Sequence, residues 1–174
     1  MTVDGLFGAD PVQDWLALVG ASSLRTLDKF RADDAVWSRI DPGLVALVEW
    51  ARASVGPAGV IAALDACHTL NLALVDLFHG VSLLLSPTVA GQLPRVGEPG
   101  TINGEPDVNW VAYTYPFNMT RSPAGSVCAG FTADGMPVGL QVVGPQHGDV
   151  VVLRALALLE DALALDDSAP FGAE

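Results

Sequence analysis

The stretch that decides the fold runs from Tyr113 to Gly148 and reads YTYPFNMTRSPAGSVCAGFTADGMPVGLQVVGPQHG. Two apolar, partly β-branched segments, 126–132 and 136–143, flank the dipeptide Asp134-Gly135. Asp-Gly supplies the positive φ angles that a tight hairpin turn needs, so the two segments are predicted to pair. Asp149 then offers an N-cap for a last helix. The predicted local order is hairpin, short loop and long helix.

Upstream of the hairpin, the pattern predicts helices and one further strand. Asp41-Pro42 starts a helix, since Asp caps and Pro suits the first helical position. Residues 57–78 are apolar around much of the helix, which is typical of burial on more than one side. The apolar run 81–86 predicts a central strand covered on both faces. The Gly- and Pro-rich residues 87–106 form a loop of a length that is usually functional or disordered.

These elements together predict an α/β fold. We expect a mixed β-sheet flanked by helices, built from the run 81–86, the hairpin and a strand near Asn109. The predicted organisation is a helical lead-in over 1–40, an α/β domain over 41–166 and a frayed tail over 167–174.

Composition excludes several classes of partner. Twenty acidic and eight basic residues give a net charge of −12, which repels phosphate backbones and argues against nucleic acid. Apolar runs are interrupted before the roughly 20 residues that span a bilayer, so no membrane contact is expected. Charged residues are only 16% of the chain, against about 25% in average domains, and a face meant to be covered is one explanation. Cys67 and Cys128 fit buried thiols of a cytoplasmic protein.

Several motifs, in order, resemble the C-terminal end of the amidase signature family, whose members hydrolyse carboxylic amides. They are DPGLVALVEWARA from Asp41, LLLSPTVAG from Leu83, FNMTRSPAGSV from Phe117 and DGMPVGLQVVGPQHGD from Asp134. The resemblance implies a Ser–cis-Ser–Lys triad, but the family's lysine and Gly/Ser-rich segment precede all of these landmarks. It therefore implies a C-terminal amidase segment that is inactive alone.

The residues offer little catalytic apparatus of their own. Lys29 is the single lysine and lies in a charged stretch, and Ser22-Ser23 reads as a helix cap without flanking glycines. A triad of Ser126, His147 and Asp149, or Cys128 with His147, can be assembled on paper, but nothing positions either. The histidines are too dispersed to share a metal, and neither a metal nor a cofactor is predicted.

Binding has more support than catalysis. By resemblance, the loop after the Pro-Thr strand and the Phe-Asn segment border the family's acyl-binding cleft. The candidate substrate-binding residues are Thr88, Val89, Tyr115, Phe117, Asn118, Thr120 and Arg121. Arg121 could clamp a carboxylate, although the family often has glycine there. The alternative is that Asn118 and Thr120 form hydrogen bonds with backbone groups of the loop, and that Arg121 forms an ion pair with an acidic side chain.

Three readings of the function follow. The chain is the C-terminal segment of an amidase, from a split, truncated or decayed frame. Alternatively, it is a subunit that complements a separate N-terminal amidase half or self-associates through an exposed apolar face. The third reading is a small-ligand binding module.

Overall fold

The computed structural model describes residues 1–165. The chain divides into two compact units, Met1–Ala73 and Leu74–Glu174, with the boundary inside a long helix. The tail predicted over 167–174 lies outside the described residues.

The first unit is helical. Gly20 is buried, and a Cβ at this position would lie 2.8 Å from the Cβ of Ala51, so the backbones of two helices approach closely there. Asp41 caps its helix as predicted, because its carboxylate accepts a hydrogen bond from the Leu44 N–H at 3.0 Å. The elements are α1 (Val12–Leu27), a 3-10 turn (Asp28–Phe30), α2 (Asp34–Trp37), α3 (Pro42–Ser54) and α4 (Pro57–Gly80).

Helix α4 keeps much of its apolar surface in contact with solvent. Four of its side chains are at least half exposed, at helical spacing along one side: Ile61 (58%), Leu64 (50%), Leu72 (52%) and Val75 (53%). These four residues are called the apolar stripe of α4 below. The buried residues Ala63, Leu70 and Leu74 all lie on one face of the helix. The prediction that this helix is buried on more than one side is therefore wrong.

By length and composition alone, α4 could also cross a membrane. It has 24 residues, a mean hydropathy of 1.6 over its most apolar window, and 17% of that window buried. Asp65, His68 and Asp76 nevertheless interrupt the apolar residues of α4, as the sequence-based expectation states. Core helices of soluble proteins share this length and composition.

The second unit contains a three-stranded sheet in the order β1-β5-β4, with β1 at Leu84–Pro87, β4 at Ala124–Phe131 and β5 at Pro137–Val143. The hairpin is confirmed, and Ser126 lies opposite Gln141 in its register. The sheet is flanked by helices, as predicted for an α/β fold. All pairings between its described strands are antiparallel, however, so the expected mixed sheet is not formed by these strands. Strand β1 is an edge strand rather than the predicted central one.

The hairpin turn differs from the predicted one in its geometry. Only Gly135 has a positive φ (82°), while Asp134 does not. The Gly135 N–H donates to the Thr132 carbonyl, and the Thr132 N–H donates to the Met136 carbonyl. The loop therefore has three residues and a glycine bulge, a common alternative to the two-residue turn.

The long loop after β1 is ordered by a small hairpin of its own. Strands β2 (Thr101–Ile102) and β3 (Glu105–Pro106) pair around Asn103 and Gly104, which both have positive φ. The strand expected near Asn109 is instead a 3-10 turn over Val108–Val111.

Two helices complete the second unit. Helix α5 (Tyr115–Thr120) begins with Pro116 in its first turn, and helix α6 (Asp149–Leu163) packs on the hairpin. Asp149 is the first residue of α6 and not its cap, because Gly148 holds the N-cap position without a side-chain hydrogen bond. A Cβ at Gly125 would lie 2.4 Å from Leu156 Cδ1, so this glycine allows α6 to lie close against β4.

Candidate functional site

One open cleft lies in the second unit, between the loop after β1 and the distal half of the β4–β5 hairpin. Its volume is about 890 Å³. We call it the hairpin cleft, and its lining is mostly apolar. The residues that line it are Pro87, Thr88, Val89, Gly91, Gln92, Leu93, Pro94, Arg95, Val96, Ser126, Val127, Cys128, Thr132, Asp134, Met136, Pro137, Val138 and Gly139.

Two hydroxyl groups meet in the hairpin cleft. Thr88 Oγ1, from the residue after β1, and Ser126 Oγ, from β4, share a hydrogen bond 2.6 Å long. Gly139 of β5 lies between the two elements, and a Cβ there would be 2.5 Å from Thr88 Oγ1 and 2.8 Å from Ser126 Oγ. The missing side chain of Gly139 is therefore what lets this hydroxyl pair form.

Backbone pairing fixes the hydroxyl pair in place. Strand β5 is central in the sheet, and the Thr88 N–H donates to the Gly139 carbonyl at 2.9 Å. Ser126 is paired with Gln141 in the register of the hairpin, so the two side chains lie on the same face of the sheet. Gln141 is buried and donates to Ser86 Oγ (3.0 Å) and to the Tyr113 carbonyl (2.7 Å). The amide of Gln141 is thus hydrogen-bonded to Ser86 and Tyr113 and not to the hydroxyl pair.

The charged groups of the hairpin cleft are few and of opposite sign. Arg95 and Asp134 are both exposed. The Thr132 hydroxyl donates to the Asp134 carboxylate at 2.5 Å, and this bond, with one from the backbone, lowers the pKa of Asp134 below its usual value. The hairpin cleft therefore carries no net charge and suits a neutral, largely apolar ligand.

The structure separates the candidate binding residues into two groups. Thr88 and Val89 line the hairpin cleft. The other five belong to α5 or its C-terminal cap and are not part of that lining. Three of these are buried and two are exposed: Tyr115 (1%), Phe117 (6%) and Thr120 (1%) are buried, and Asn118 and Arg121 are exposed.

The buried members of α5 hold loops together. The Tyr115 hydroxyl donates to Asn109 Oδ1 at 3.3 Å. Thr120 Oγ1 lies 2.9 Å from Ser122 Oγ, and the Thr120 carbonyl accepts from Gln146 Nε2 at 2.9 Å. These bonds fix the segments before and after the hairpin, which is the structural alternative considered for Thr120.

Arg121 stands where α5 ends. Its φ of 55° and ψ of 32° are left-handed, and its N–H donates to the last carbonyls of the helix. Glycine is the usual residue in this position because it has no Cβ. Between described residues, no hydrogen bond or ion pair of the Arg121 guanidinium is formed.

Sequence reasoning did not assign Ser126 and Gly139 to a binding site. The sequence indicates Ser126 only as a possible nucleophile and predicts Gly139 only as part of a strand. The two-residue period of a strand predicts that Ser126 and Cys128 lie on the same face. It does not predict that Thr88 lies beside Gly139, because that contact depends on how the strands pair.

The other catalytic possibilities gain no support. Lys29 is exposed, with its Nζ 4.8 Å from the centre of the Phe30 ring. Ser22-Ser23 lies inside α1 and caps nothing, contrary to the prediction. The hydroxyl partner of Ser126 is Thr88, and Asp149 begins a helix. Among the described residues, no cluster of three or more His, Cys, Asp or Glu could hold a metal ion. Cys67 and Cys128 carry thiols rather than a disulfide bond, and both are partly, not fully, buried.

Curated relatives match about half of the chain. An acylamidase of Rhodococcus erythropolis is 42% identical over 94 residues, which are 51% of this chain and 20% of that enzyme. A 6-aminohexanoate-cyclic-dimer hydrolase of Pseudomonas sp. (strain NK87) is 37% identical over 97 residues, 48% of this chain and 19% of the relative. The match thus spans about a fifth of the length of these relatives.

Solved structures share the fold. The chain superposes on a crystal structure of an amidase with a TM-score of 0.76 and 23% identity, covering 91% of this chain and 36% of that one. It superposes on 6-aminohexanoate cyclic dimer hydrolase with a TM-score of 0.74 and 23% identity, covering 98% and 38%. The sequence model of the Amidase family matches residues 58–153, more than half of the chain. This protein belongs to the amidase signature family.

Proposed function

We propose that this chain forms the acyl-binding part of a carboxylic amide hydrolase, with the serine nucleophile and its lysine base supplied by residues outside these 174. The observation that carries the proposal is the hairpin cleft, which lies within the family-matched segment and has neither lysine nor histidine in its lining. A serine hydrolase needs a base within hydrogen-bond reach of its nucleophile. The hairpin cleft thus binds but lacks the groups that react.

The remaining polar groups of the chain support this division of roles. The family's base is a desolvated lysine, whereas Lys29 is exposed to water and beside the Phe30 ring. Ser126 faces another hydroxyl instead of a base. Because nucleophile and base act as a unit, a chain without them loses orders of magnitude of rate.

The lining of the hairpin cleft favours amides with apolar acyl groups. Val89, Leu93 and Met136 supply apolar surface, and the two charged groups are exposed. Relatives named acylamidase and fatty acid amide hydrolase each match about half of the chain. We therefore assign the substrate class as neutral carboxylic amides with aliphatic or aromatic acyl groups.

Turnover of 4-nitroacetanilide, followed by release of 4-nitroaniline, tests the proposal. The purified chain alone is expected to give no turnover above buffer. Turnover should appear when a separate polypeptide with the Gly/Ser-rich segment and lysine of an amidase relative is added. Turnover by the chain alone that Ser126→Ala abolishes and the matched control Ser86→Ala retains would contradict it. Ligand binding that persists while every such partner fails to restore turnover would instead favour the binding module.

The apolar stripe of α4 supports a second proposal, that the catalytic half docks on this helix. Its residues run from Ile61 to Val75, about 21 Å along the axis. Covering the exposed half of each side chain contributes roughly 1 kcal/mol. The solved amidases with the same fold are nearly three times as long as the part that this chain covers. The rest of such a fold is the occupant that best fits a long helix face whose large exposed side chains are apolar.

A further inference from the structure

We propose that the hydroxyl pair of Thr88 and Ser126 is a recognition site for a secondary carboxamide group, and that it selects amides over other neutral apolar ligands. The inference rests on the proposed function in that it names the ligand chemistry of the same hairpin cleft. It assigns specificity to Ser126 and Gly139, which lie inside the quoted motifs but outside the set of candidate substrate-binding residues.

The first step is the hydrogen-bonding capacity of the pair. Each hydroxyl has one O–H donor and two lone pairs. The bond of 2.6 Å between Thr88 Oγ1 and Ser126 Oγ uses one donor and one lone pair. No other hydrogen bond of either hydroxyl is formed between described residues, so one O–H donor and three lone pairs remain in the hairpin cleft.

The second step is the match to a ligand group. A secondary amide has a carbonyl that accepts a hydrogen bond and an N–H that donates one. The free O–H of the pair can donate to that carbonyl, and a hydroxyl lone pair can accept from the N–H. A carboxylate or an ammonium group would use only one of these capacities and would meet no net opposite charge, because Arg95 and Asp134 offset each other.

The third step is the surroundings. Val89 and Leu93, from the loop after β1, and Met136 and Val138, from the hairpin, line the same hairpin cleft. An uncompensated amide in such an apolar environment costs free energy unless it is hydrogen-bonded. The hydroxyl pair is therefore the place where an apolar amide finds its partners, while its substituents contact the apolar lining.

Gly139 makes the pair possible. A Cβ at this residue would lie within 3 Å of Thr88 Oγ1, Ser126 Oγ and Thr88 Cβ. A glycine inside a strand weakens that strand, and it often marks a place where another group approaches the backbone closely. Here the group that approaches is the hydroxyl pair, so the site is built from three elements: the loop after β1, β4 and β5.

The test compares two ligands of almost the same shape, N-phenylhexanamide and 1-phenylheptan-2-one, in which CH₂ replaces the amide N–H. Binding to the ¹⁵N-labelled chain is followed by amide chemical shifts of the residues that line the hairpin cleft. The wild-type chain is expected to bind the amide about two- to tenfold more tightly than the ketone, the range of one net hydrogen bond. In Thr88→Val/Ser126→Ala the two affinities should be equal.

Three controls keep the result interpretable. Thr88→Ser keeps the hydroxyl and should keep the preference. Ser86→Ala removes a hydroxyl of the same face outside the hairpin cleft and should also keep it. Dispersed spectra report folding of each variant, and Thr88→Val and Ser126→Ala singly replace the double variant if it unfolds, each with a reduced preference.

Equal binding of both ligands by the wild type, absence of shifts in the hairpin cleft, or an unchanged preference in the double variant would overturn the inference. Its failure is distinguishable from that of the proposed function. Amide preference without restored turnover contradicts only the hydrolase proposal, and restored turnover without amide preference contradicts only the role of the hydroxyl pair.

Discussion

At the scale of single residues, Arg121 occupies a backbone conformation that disfavours its side chain. A non-glycine residue in the left-handed region costs roughly 1 kcal/mol, and the φ of 55° places Arg121 there. The resemblance to the amidase signature family implies glycine after the threonine, which agrees with this backbone geometry. The exposed guanidinium does not offset this strain through any ion pair between described residues.

Arg121→Gly is therefore expected to stabilise the chain by about 0.5–1 kcal/mol. Equilibrium unfolding in urea measures the change as a higher midpoint. The control is Arg154→Gly, inside α6, which should destabilise by about 1 kcal/mol because glycine is unfavourable in a helix interior. A loss of stability in Arg121→Gly would show that the guanidinium makes an interaction worth more than the strain.

Asp134 gives a pH-dependent prediction at the same scale. The Thr132 hydroxyl and the backbone lower its pKa in the folded chain, so its ionised form stabilises the turn at pH values above the unfolded pKa. That contribution is lost as the pH falls through the lowered, folded pKa. Thr132→Val should raise the pKa of Asp134 towards its usual value, and Thr132→Ser should leave it low.

Titration of the Asp134 carboxyl carbon by NMR measures both variants. The acid limb of the stability profile should be flatter for Thr132→Val than for the wild type. An Asp134 pKa that is the same in wild type and Thr132→Val would mean that the backbone bond alone lowers it.

At the scale of elements, the sequence predicted where the strands and helices lie better than it predicted the geometry of the turn between β4 and β5. The alternating segments around Asp134-Gly135 predicted β4 and β5, and Asp41-Pro42 predicted the start of α3. The turn has three residues because the Thr132 N–H donates to the Met136 carbonyl. The dipeptide Asp134-Gly135 alone does not determine this pairing. The sequence also contains Asn103-Gly104, a strong hairpin signal inside the segment predicted to be a loop, and β2 and β3 pair around it.

The position of β1 could not be read from its composition. A short apolar run is equally consistent with a central and an edge strand, and Leu85 is 53% exposed in the observed edge position. Thr88 could be connected to binding through its motif, whereas its contact with Ser126 depends on β5 lying between β1 and β4. Strand order is long-range information that local periodicity does not carry.

The apolar stripe of α4 leads to a prediction about association. Leu72→Glu should weaken binding of a catalytic-half polypeptide at least about tenfold, because it would bury an unpaired carboxylate. Thr69→Glu, an exposed residue to one side of the stripe, should change affinity by less than about twofold. Sedimentation of mixtures at several concentrations measures both.

Other occupants of the stripe give different results in the same experiment. Self-association of the chain that Leu72→Glu abolishes would indicate a second copy, and flotation with phosphatidylcholine vesicles would indicate a membrane. Either result without binding of the catalytic half contradicts the docking proposal.

At the scale of the whole molecule, the family could be recognised from ordered motifs because they are local in sequence. The match to residues 58–153 contains three of the four motifs and ends four residues beyond the last of them. The reacting groups could not be located in this way, because none of these motifs contains a lysine. The low share of charged residues did indicate uncovered surface, and the apolar stripe of α4 is where part of it lies.

The edge position of β1 has a consequence for handling the protein. The outer side of β1 carries backbone N–H and C=O groups that no described strand pairs, and Leu85 beside them is half exposed. Such a border is a template on which further strands can stack. Pro87 interrupts it at one end because its nitrogen has no hydrogen to donate. Concentrated stocks are therefore expected to grow β-rich oligomers by backbone pairing at this border, and a covering polypeptide would act as a chaperone for it.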